Sequence, residues 1–281
     1  MLEREPSRTA FAAAAYRAVH QVSEGSYLFK DPLAVAILGV DPEALRTDAA
    51  AGDDRRGIRW FVVARSVIAE GALKRGVEER GVTQLVVLGA GLDTFAYRNP
   101  FEGRLHVFEV DHPATQAWKR RRLQEAGIPI PESLTYAPID FERENLTDQL
   151  AAAGLDPDIR TFFSWLGVVP YLTKEAIAAT LAQIAAHPGG AEVVFDYSEP
   201  REAIDPELRA HHAERAARVA AIGEPFLSFF DPAELHAQLR ALGFTEIDDL
   251  DVPGIVARLT GQPRQDGRRV GGHVLLAATG G

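Results

Sequence analysis

Gly89-Ala90-Gly91 follows Leu85-Val86-Val87-Leu88, a short apolar run of strand character. Neither glycine carries a Cβ, so the backbone can bend tightly there and a ligand can come close. Asp93 follows within the same turn. About 20 residues further on, a second apolar stretch, Leu105-His106-Val107-Phe108-Glu109-Val110-Asp111, ends in two carboxylates. Glycines at the end of one strand and an acid at the end of the next are the layout of a nucleotide-binding βαβ unit, in which the acid takes the ribose hydroxyls. A dinucleotide site also wants a third glycine, and Thr94 stands in its place. A pyrophosphate is therefore a poor fit. A ligand with a ribose and an amino-acid end but no phosphates fits better, and S-adenosylmethionine is such a ligand. Its carboxylate needs a cation, for which Arg65 or Arg17 is available. Its ribose needs an acid, for which Asp111 or Glu109 is available.

Other residue pairs could complete such a pocket. Asp140-Phe141 closes a third strand, where a carboxylate can accept from the adenine amine while the ring stacks on the base. The run Phe162-Phe163-Ser164-Trp165-Leu166-Gly167-Val168-Val169-Pro170-Tyr171-Leu172-Thr173 reads as a buried strand, an irregular loop and a helix capped by Thr173. Glycine and proline just past a central strand mark a close backbone approach, so Trp165 and Tyr171 are candidates for the pocket wall. Tyr171, His211 and His212 are the side chains that could act as an acid or base, and His112 belongs on the cofactor side. Plain structural roles compete throughout. Asp111 and Asp140 can cap helices, Trp165, Tyr171 and Phe141 can be core, and His211 and His212 can be surface. Lys119-Arg120-Arg121-Arg122 reads first as a solvated helix face, with a polyanion contact as the alternative.

Positioning these residues needs a sheet. Strands are expected at Gln84–Leu88, Leu105–Glu109, Leu134–Pro138, Thr161–Trp165, Glu192–Tyr197, Thr245–Leu250 and His273–Ala278. Helices are expected between them at about Pro113–Glu125, Arg143–Ala152, Lys174–Ala186 and Pro232–Leu242. Such alternation predicts an α/β fold, a mostly parallel seven-stranded sheet with helices on both faces. One of the last two strands is a candidate to run antiparallel. The first 80 residues read as helical: Ser7–Val22 with a stripe of Phe11, Ala14, Ala15, Ala18, Val19 and Val22; a short helix begun by Asp31-Pro32 and stopped at Gly39; and a long helix over Ile58–Glu79 with Trp60, Val63, Val67 and Ile68 inward. Residues 198–230, with a helical stretch over about Pro206–Ala221, interrupt the alternation past the fifth strand. Ligands bind outside the carboxyl ends of strands, so this insertion and the N-terminal helices are expected to form a cap and lid on a single domain.

The 281 residues carry a formal charge of −10 and no cysteine. Disulfide chemistry and cysteine metal sites are excluded, and an acidic balance argues against a nucleic-acid binder. Nothing in the chain is long and apolar enough to span a bilayer, and the charged start lacks the apolar region of a signal peptide. A cytoplasmic protein, monomeric or homodimeric, with a small-molecule partner is expected, with no membrane association and no metal.

The motifs together resemble the leucine carboxyl methyltransferase family of class I S-adenosylmethionine-dependent methyltransferases. The resemblance is carried by Phe29-Lys30-Asp31-Pro32-Leu33-Ala34, Ala64-Arg65-Ser66, Val87 through Arg98, Phe108-Glu109-Val110-Asp111-His112-Pro113, Asp140-Phe141, Gly167-Val168-Val169-Pro170-Tyr171-Leu172 and Gly223-Glu224-Pro225-Phe226. The wording of the Gly167–Leu172 segment is most similar to that of bacterial members acting on polyketides. The resemblance implies a Rossmann-like class I methyltransferase fold and an O-methyl transfer to a carboxylate or hydroxyl, leaving S-adenosylhomocysteine. It implies that Arg65, with Arg17 as a second cation, holds the methionine carboxylate, that Gly89, Ala90 and Gly91 approach the cofactor, that Asp111 takes the ribose, and that Asp140 and Phe141 take the adenine. Two places depart from the family pattern. Ala69 stands where an acid often follows Arg65 by one helical turn, and Leu166 stands where many members place a glutamate near the cofactor amine. Ser164 or backbone carbonyls would have to substitute. The rival readings are a nicotinamide oxidoreductase, against which Thr94 counts, and a non-catalytic S-adenosylmethionine-binding protein.

Overall fold

The computed structural model describes residues 7–51, 55–139, 144–265 and 267–280. Four helices come first: α1 (Arg8–Ser23), α2 (Ala34–Leu38), α3 (Pro42–Ala51) and α4 (Arg56–Glu79). The remainder alternates: β1 (Gln84–Leu88), β2 (His106–Asp111), α5 (Pro113–Glu125), β3 (Leu134–Pro138), α6 (Leu146–Ala152), β4 (Thr161–Trp165), α7 (Lys174–Ala185), β5 (Ala191–Ser198), α8 (Arg209–Ala221), α9 (Pro232–Ala241), β6 (Phe244–Asp251), α10 (Val252–Thr260) and β7 (Gly272–Thr279). The seven strands form one sheet in the order β3-β2-β1-β4-β5-β7-β6. β1 to β5 are parallel, and β7 runs antiparallel to both β5 and β6. Strand order reverses between β1 and β4, and the carboxyl ends of these two strands therefore flank an open crevice.

Burial explains which strands lie where. β1 is buried along its whole length, and β5 in all but its last residue, as expected for strands covered on both faces. β6 lies at the edge and alternates toward solvent, with Glu246, Asp248, Asp249 and Asp251 along it; such charges discourage pairing with another chain. On one face, Val86, Leu88, Phe108, Phe163, Trp165 and Phe195 pack against Leu150 of α6, Ile177 and Leu181 of α7, and Leu235 of α9. On the other, Leu85, Val87, Val107 and Phe162 pack against Ala64, Ile68, Ala72 and Leu73 of α4. A third cluster joins Ala14, Ala18 and Val19 of α1 to Ile37 and Leu38 of α2, Leu123 of α5 and Leu92 of the glycine turn. The N-terminal helices are thereby packed directly onto the turn.

Several local expectations change. α1 does not bury Phe11, which stays at the surface, and instead buries Arg17 and His20. α4 buries Val63 and Ile68 as expected, together with Val62, Ala64, Arg65, Ala69 and Leu73, whereas Trp60 and Val67 are half-buried. α2 begins at Ala34, because Asp31 is recruited to a buried ion pair, although it still accepts from the Leu33 amide at 3.2 Å. α6 begins at Leu146 behind an Asn145 cap, and Arg143 falls outside the described residues. α10 was not legible, since Val252-Pro253-Gly254 reads as a breaker. Asp251 Oδ1 accepts from the Gly254 amide at 2.9 Å, and proline is tolerated in a first turn. No described helix is long and apolar enough to cross a membrane.

The β5–β7–β6 side of the sheet is tied by a polar network. His273 bonds Asp249 Oδ1 at 2.9 Å through Nδ1 and Glu199 Oε1 at 2.8 Å through Nε2. Tyr197 stacks on the imidazole at 4.6 Å and donates to Asp249 Oδ2 at 2.6 Å, and His236 reaches the same oxygen at 2.8 Å. Burial disfavours the imidazolium, but Asp249 and Glu199 outweigh it and hold the His273 pKa above the ordinary value. A raised histidine pKa contributes stability that is fully present below the unfolded value of about 6.5 and is lost as pH rises through the folded value. Urea unfolding between pH about 6.5 and 9 should therefore show a falling stability in the wild type and a shallower fall in His273→Gln.

Candidate functional site

The glycine turn is built by backbone conformation. Gly89 has φ +65° and Gly91 φ +46°, the left-handed region that disfavours side chains. A Cβ at Gly89 would lie 2.5 Å from Val168 Cγ2, and one at Gly91 would lie 3.1 Å from the Cβ of Ala10 on α1. The turn is thus covered on one side by the loop after β4 and on the other by the first turn of α1. Ala90 is buried and donates its amide to the Val110 carbonyl at 3.0 Å, locking the turn to β2.

Asp111 closes the turn from the end of β2, two residues beyond the expected strand limit. One carboxylate oxygen accepts from the Gly91 amide, the other from the His112 amide at 2.7 Å. Burial raises its pKa, against the pull of these two bonds. It does not cap α5. His112 does so, its Nδ1 accepting from the Ala114 amide at 3.2 Å ahead of Pro113. Glu109, the other candidate acid, is turned into the protein, where Lys119 Nζ donates to Oε2 at 2.8 Å. Burial pushes its pKa up to about 7, and Oε1 has no partner among the described residues.

Behind the turn lies a buried ionic cluster. Asp31 has no exposed surface. It accepts from Arg17 Nε at 3.3 Å and from the Thr94 hydroxyl at 2.8 Å, and Arg17 Nη2 donates to the Leu92 carbonyl at 2.7 Å. Arg98 donates to Thr94 Oγ1 at 3.2 Å and makes a two-pronged contact with Glu70. Arg17, expected as a second cation for a ligand carboxylate, is therefore committed to holding Asp31 and the turn. Thr94, read only as a missing glycine, is the hydroxyl that links the turn to this cluster.

Arg65 reaches the crevice from α4. Its Nη1 donates to Asp196 Oδ2 at 2.8 Å, and Asp196 Oδ1 accepts from the Gly167 amide at 2.6 Å. Gly167 has φ +74°, and a Cβ there would lie 2.6 Å from Arg65 Nη2, so the glycine makes room for the guanidinium. Asp196, buried near the end of β5, was not singled out by sequence; its only signal is an acid directly after the apolar run Val193-Val194-Phe195. Between α4, β1 and β4 a cavity of about 30 Å³ is lined by Ser66, Ala69, Glu70, Asp93, Ser164 and Leu166 among others. Ser164 and Leu166 share one face of β4 and its extension, as strand periodicity requires. Trp165 points the other way, 1% exposed, edge-on to Phe195 in the core, and does not line the crevice. Ala69 and Leu166, the two departures from the family pattern, line one and the same cavity.

Residues 198–230 fold across these elements. The Glu224 carboxylate accepts from Ser7 Oγ and from the amides of Arg8 and Thr9, each at 3.0 Å, at the positive end of α1. The Leu227 amide donates to the Pro170 carbonyl at 2.7 Å, and Ser228 Oγ donates to the Val169 carbonyl at 2.9 Å. Tyr171 is half-buried and packs on Phe226 at 5.3 Å, and burial raises its pKa. His211 is exposed on α8. His212 is half-buried, and burial, then Arg215 and His211, lower its pKa, so it is neutral at pH 7. Asp140 and Phe141 lie outside the described residues.

The sequence profile of the leucine carboxyl methyltransferase family matches residues 10–185. The chain belongs to this family. The match takes in Arg17, Arg65, Gly89–Gly91, Asp111 and Tyr171 and ends before the 198–230 segment. Among similar proteins, a Bacillus subtilis protein with the provisional name S-adenosyl-L-methionine-dependent methyltransferase YktD is 41% identical over 167 residues, 58% of this chain and 54% of the relative. A Streptomyces coelicolor protein of the same provisional name, SCO7813, is 36% identical over 182 residues, 63% of each chain. The alignment thus spans between half and two thirds of these relatives' lengths. A crystal structure of a DUF574 family protein from Streptomyces avermitilis superposes with TM-score 0.54 at 14% identity, covering 96% of this chain and 97% of that one. The fold is α/β and Rossmann-like, a mostly parallel seven-stranded sheet with helices on both faces.

The buried cluster and the Glu224 contact should differ in cost. Asp31→Ala leaves the buried Arg17 guanidinium without its carboxylate partner and should lose roughly 3 kcal/mol or more in denaturant unfolding. Glu224→Gln should lose only about 1 kcal/mol, with faster amide exchange confined to the first turns of α1.

Proposed function

We propose that the chain is an S-adenosylmethionine-dependent O-methyltransferase that acts on a carboxylate or hydroxyl of a small metabolite. The observation that carries the reading is the placement of Arg65 and Asp111 at opposite sides of the Gly89–Gly91 turn, at the strand-order reversal of the sheet, in a chain of this family. The residues present fit the cofactor. Arg65 uses Nη1 for Asp196, and its Nη2 lies beside the space that Gly167 leaves open. Asp111 is already held by two amides, in place to take ribose hydroxyls. In this reading Arg65 binds the methionine carboxylate, Gly89, Ala90 and Gly91 let the cofactor approach, and His112 and Ser164 flank it. Asp140 and Phe141 serve the adenine. Arg17 acts through the turn rather than on the ligand.

When bound, S-adenosylmethionine supplies a methyl carbon already made electrophilic by the sulfonium. Held by Arg65 and Asp111, it would give that methyl group to an acceptor oxygen and leave as S-adenosylhomocysteine. The protein's task is to align the acceptor and exclude water, which residues 198–230 and α1 serve as a lid and cap. A carboxylate acceptor is ionised at pH 7 and needs no base; a phenol, with a pKa of about 10, would use one. Of the two histidines on α8, the half-buried His212, rather than the exposed His211, is the candidate for it. The net charge of −10 favours a small acceptor over nucleic acid.

Calorimetric titration should show binding of S-adenosylhomocysteine and none of NADH, with Arg65→Ala and Asp111→Ala each weakening the former at least about tenfold. Equal or absent binding of S-adenosylhomocysteine would sink the reading. With labelled cofactor and a panel of carboxylic acids and phenols, methyl transfer should appear on at least one class. A loss of ~10³ or more in turnover for His212→Ala, with cofactor binding intact, would assign it the base and point to a hydroxyl acceptor.

A further inference from the structure

One cation near the crevice is not matched by an acid. Arg17 is committed to Asp31, Arg98 to Glu70 and Arg65 to Asp196. Arg215, on α8, lies with its guanidinium carbon 5.2 Å from the centroid of the Phe226 ring, and Phe226 packs in turn on Tyr171 at 5.3 Å. Among the described residues Arg215 has this ring contact and no hydrogen bond or ion pair, and the charged and phenolic groups around it are Tyr171, Arg65, Tyr16 and Asp196. A half-buried guanidinium keeps a full fork of N–H donors that an aromatic face satisfies only in part. Burial lowers its pKa, and the like charge of Arg65 adds to that pull, so the site favours the arrival of an anion.

We propose that Arg215 is the residue that selects and orients the methyl acceptor, donating from its planar fork to a carboxylate whose apolar, planar body lies along Phe226 and Tyr171. The proposal rests on the methyltransferase reading and adds to it the residue that distinguishes acceptors. A guanidinium matches a carboxylate in plane and spacing, which a lone ammonium does not. Two aromatic rings beside it provide an apolar wall for the rest of the molecule. Arg215 approaches from the 198–230 segment, whereas Arg65, Gly89–Gly91 and Asp111 come from α4, β1 and β2. The cofactor's own carboxylate is the competing anion, and the two are separable because Arg65 stands on the cofactor side next to Gly167. An ionised carboxylate also brings no proton to be removed.

The test uses the full chain saturated with S-adenosylhomocysteine and two probes of one shape, 2-naphthoate and 2-naphthol, titrated into wild type, Arg215→Gln and Arg215→Lys. Wild type should bind the naphthoate at least about tenfold more tightly than the naphthol. Arg215→Gln should reduce that ratio to within about twofold, Arg215→Lys should keep part of it, and all three should bind S-adenosylhomocysteine within about twofold of one another. A wild type that does not prefer the naphthoate, including one that binds neither probe, overturns the proposal, as does an Arg215→Gln that keeps the preference. An Arg215→Gln that loses S-adenosylhomocysteine while Arg215→Lys keeps it overturns the proposal by making Arg215 a cofactor ligand. Failure of wild type to bind S-adenosylhomocysteine at all overturns the underlying reading as well, and the first titration alone tells that case apart.

Discussion

A single buried carboxylate, Asp31, holds the site's geometry together. It has no exposed surface and sits between Arg17 of α1 and Thr94 of the glycine turn. An isolated ion in such a place would be strongly disfavoured, so its partners must be delivered together or not at all. That requirement couples two parts of the chain that share no strand. α1 cannot leave without stranding Asp31, and the turn cannot open without losing the Leu92 carbonyl contact to Arg17. Apolar packing of Ala14, Ala18 and Leu92 reinforces the same joint without dictating its orientation.

The crevice repeats this logic at its two ends. Asp111 and Asp196 are each held by a backbone amide of a glycine, Gly91 and Gly167. In both cases the glycine adopts a positive φ that turns its amide toward the carboxylate. Charge and backbone conformation are thus set by one another. A polar ligand entering here meets groups already oriented, which lowers the entropy that binding must overcome. Ala69 and Leu166 put no carboxylate on the cavity that α4 forms with β1 and β4, where Glu70 and Asp93 are the carboxylates on the wall.

The chain divides its labour between a part that the family profile matches and a part that it does not. Residues 10–185 carry the turn, Asp111 and Arg65. Residues 198–230 lie beyond the match, yet they clasp α1 through Glu224 and the post-β4 loop through Leu227 and Ser228. The clasp is made of single hydrogen bonds, exposed or part-buried at Glu224 and buried at Ser228, each worth only about a kilocalorie, and carries no buried ion pair like that of the Asp31 joint. A segment held this way can differ between relatives, or open, without disturbing the turn.

The order of strands and helices, the glycine turn, Asp111 at a strand end and Arg65 on a long helix were all legible in the chain, because each rests on local periodicity or on turn chemistry. The side on which a residue falls was less so. Trp165 and Tyr171 looked alike as pocket walls, but strand alternation sends Trp165 into the core while the loop leaves Tyr171 beside Phe226. Arg17 and Arg65 looked alike as cations for a ligand, and only the approach of Asp31 and of Asp196 separated their roles. Asp196 carried only a weak local signal and Arg215 none, since their meaning lies in what is near them in space. By itself the sequence determined the fold class and the glycine turn; the tertiary structure decided which charges are already paired and which remain to be met, because pairing depends on distances between segments far apart in the chain.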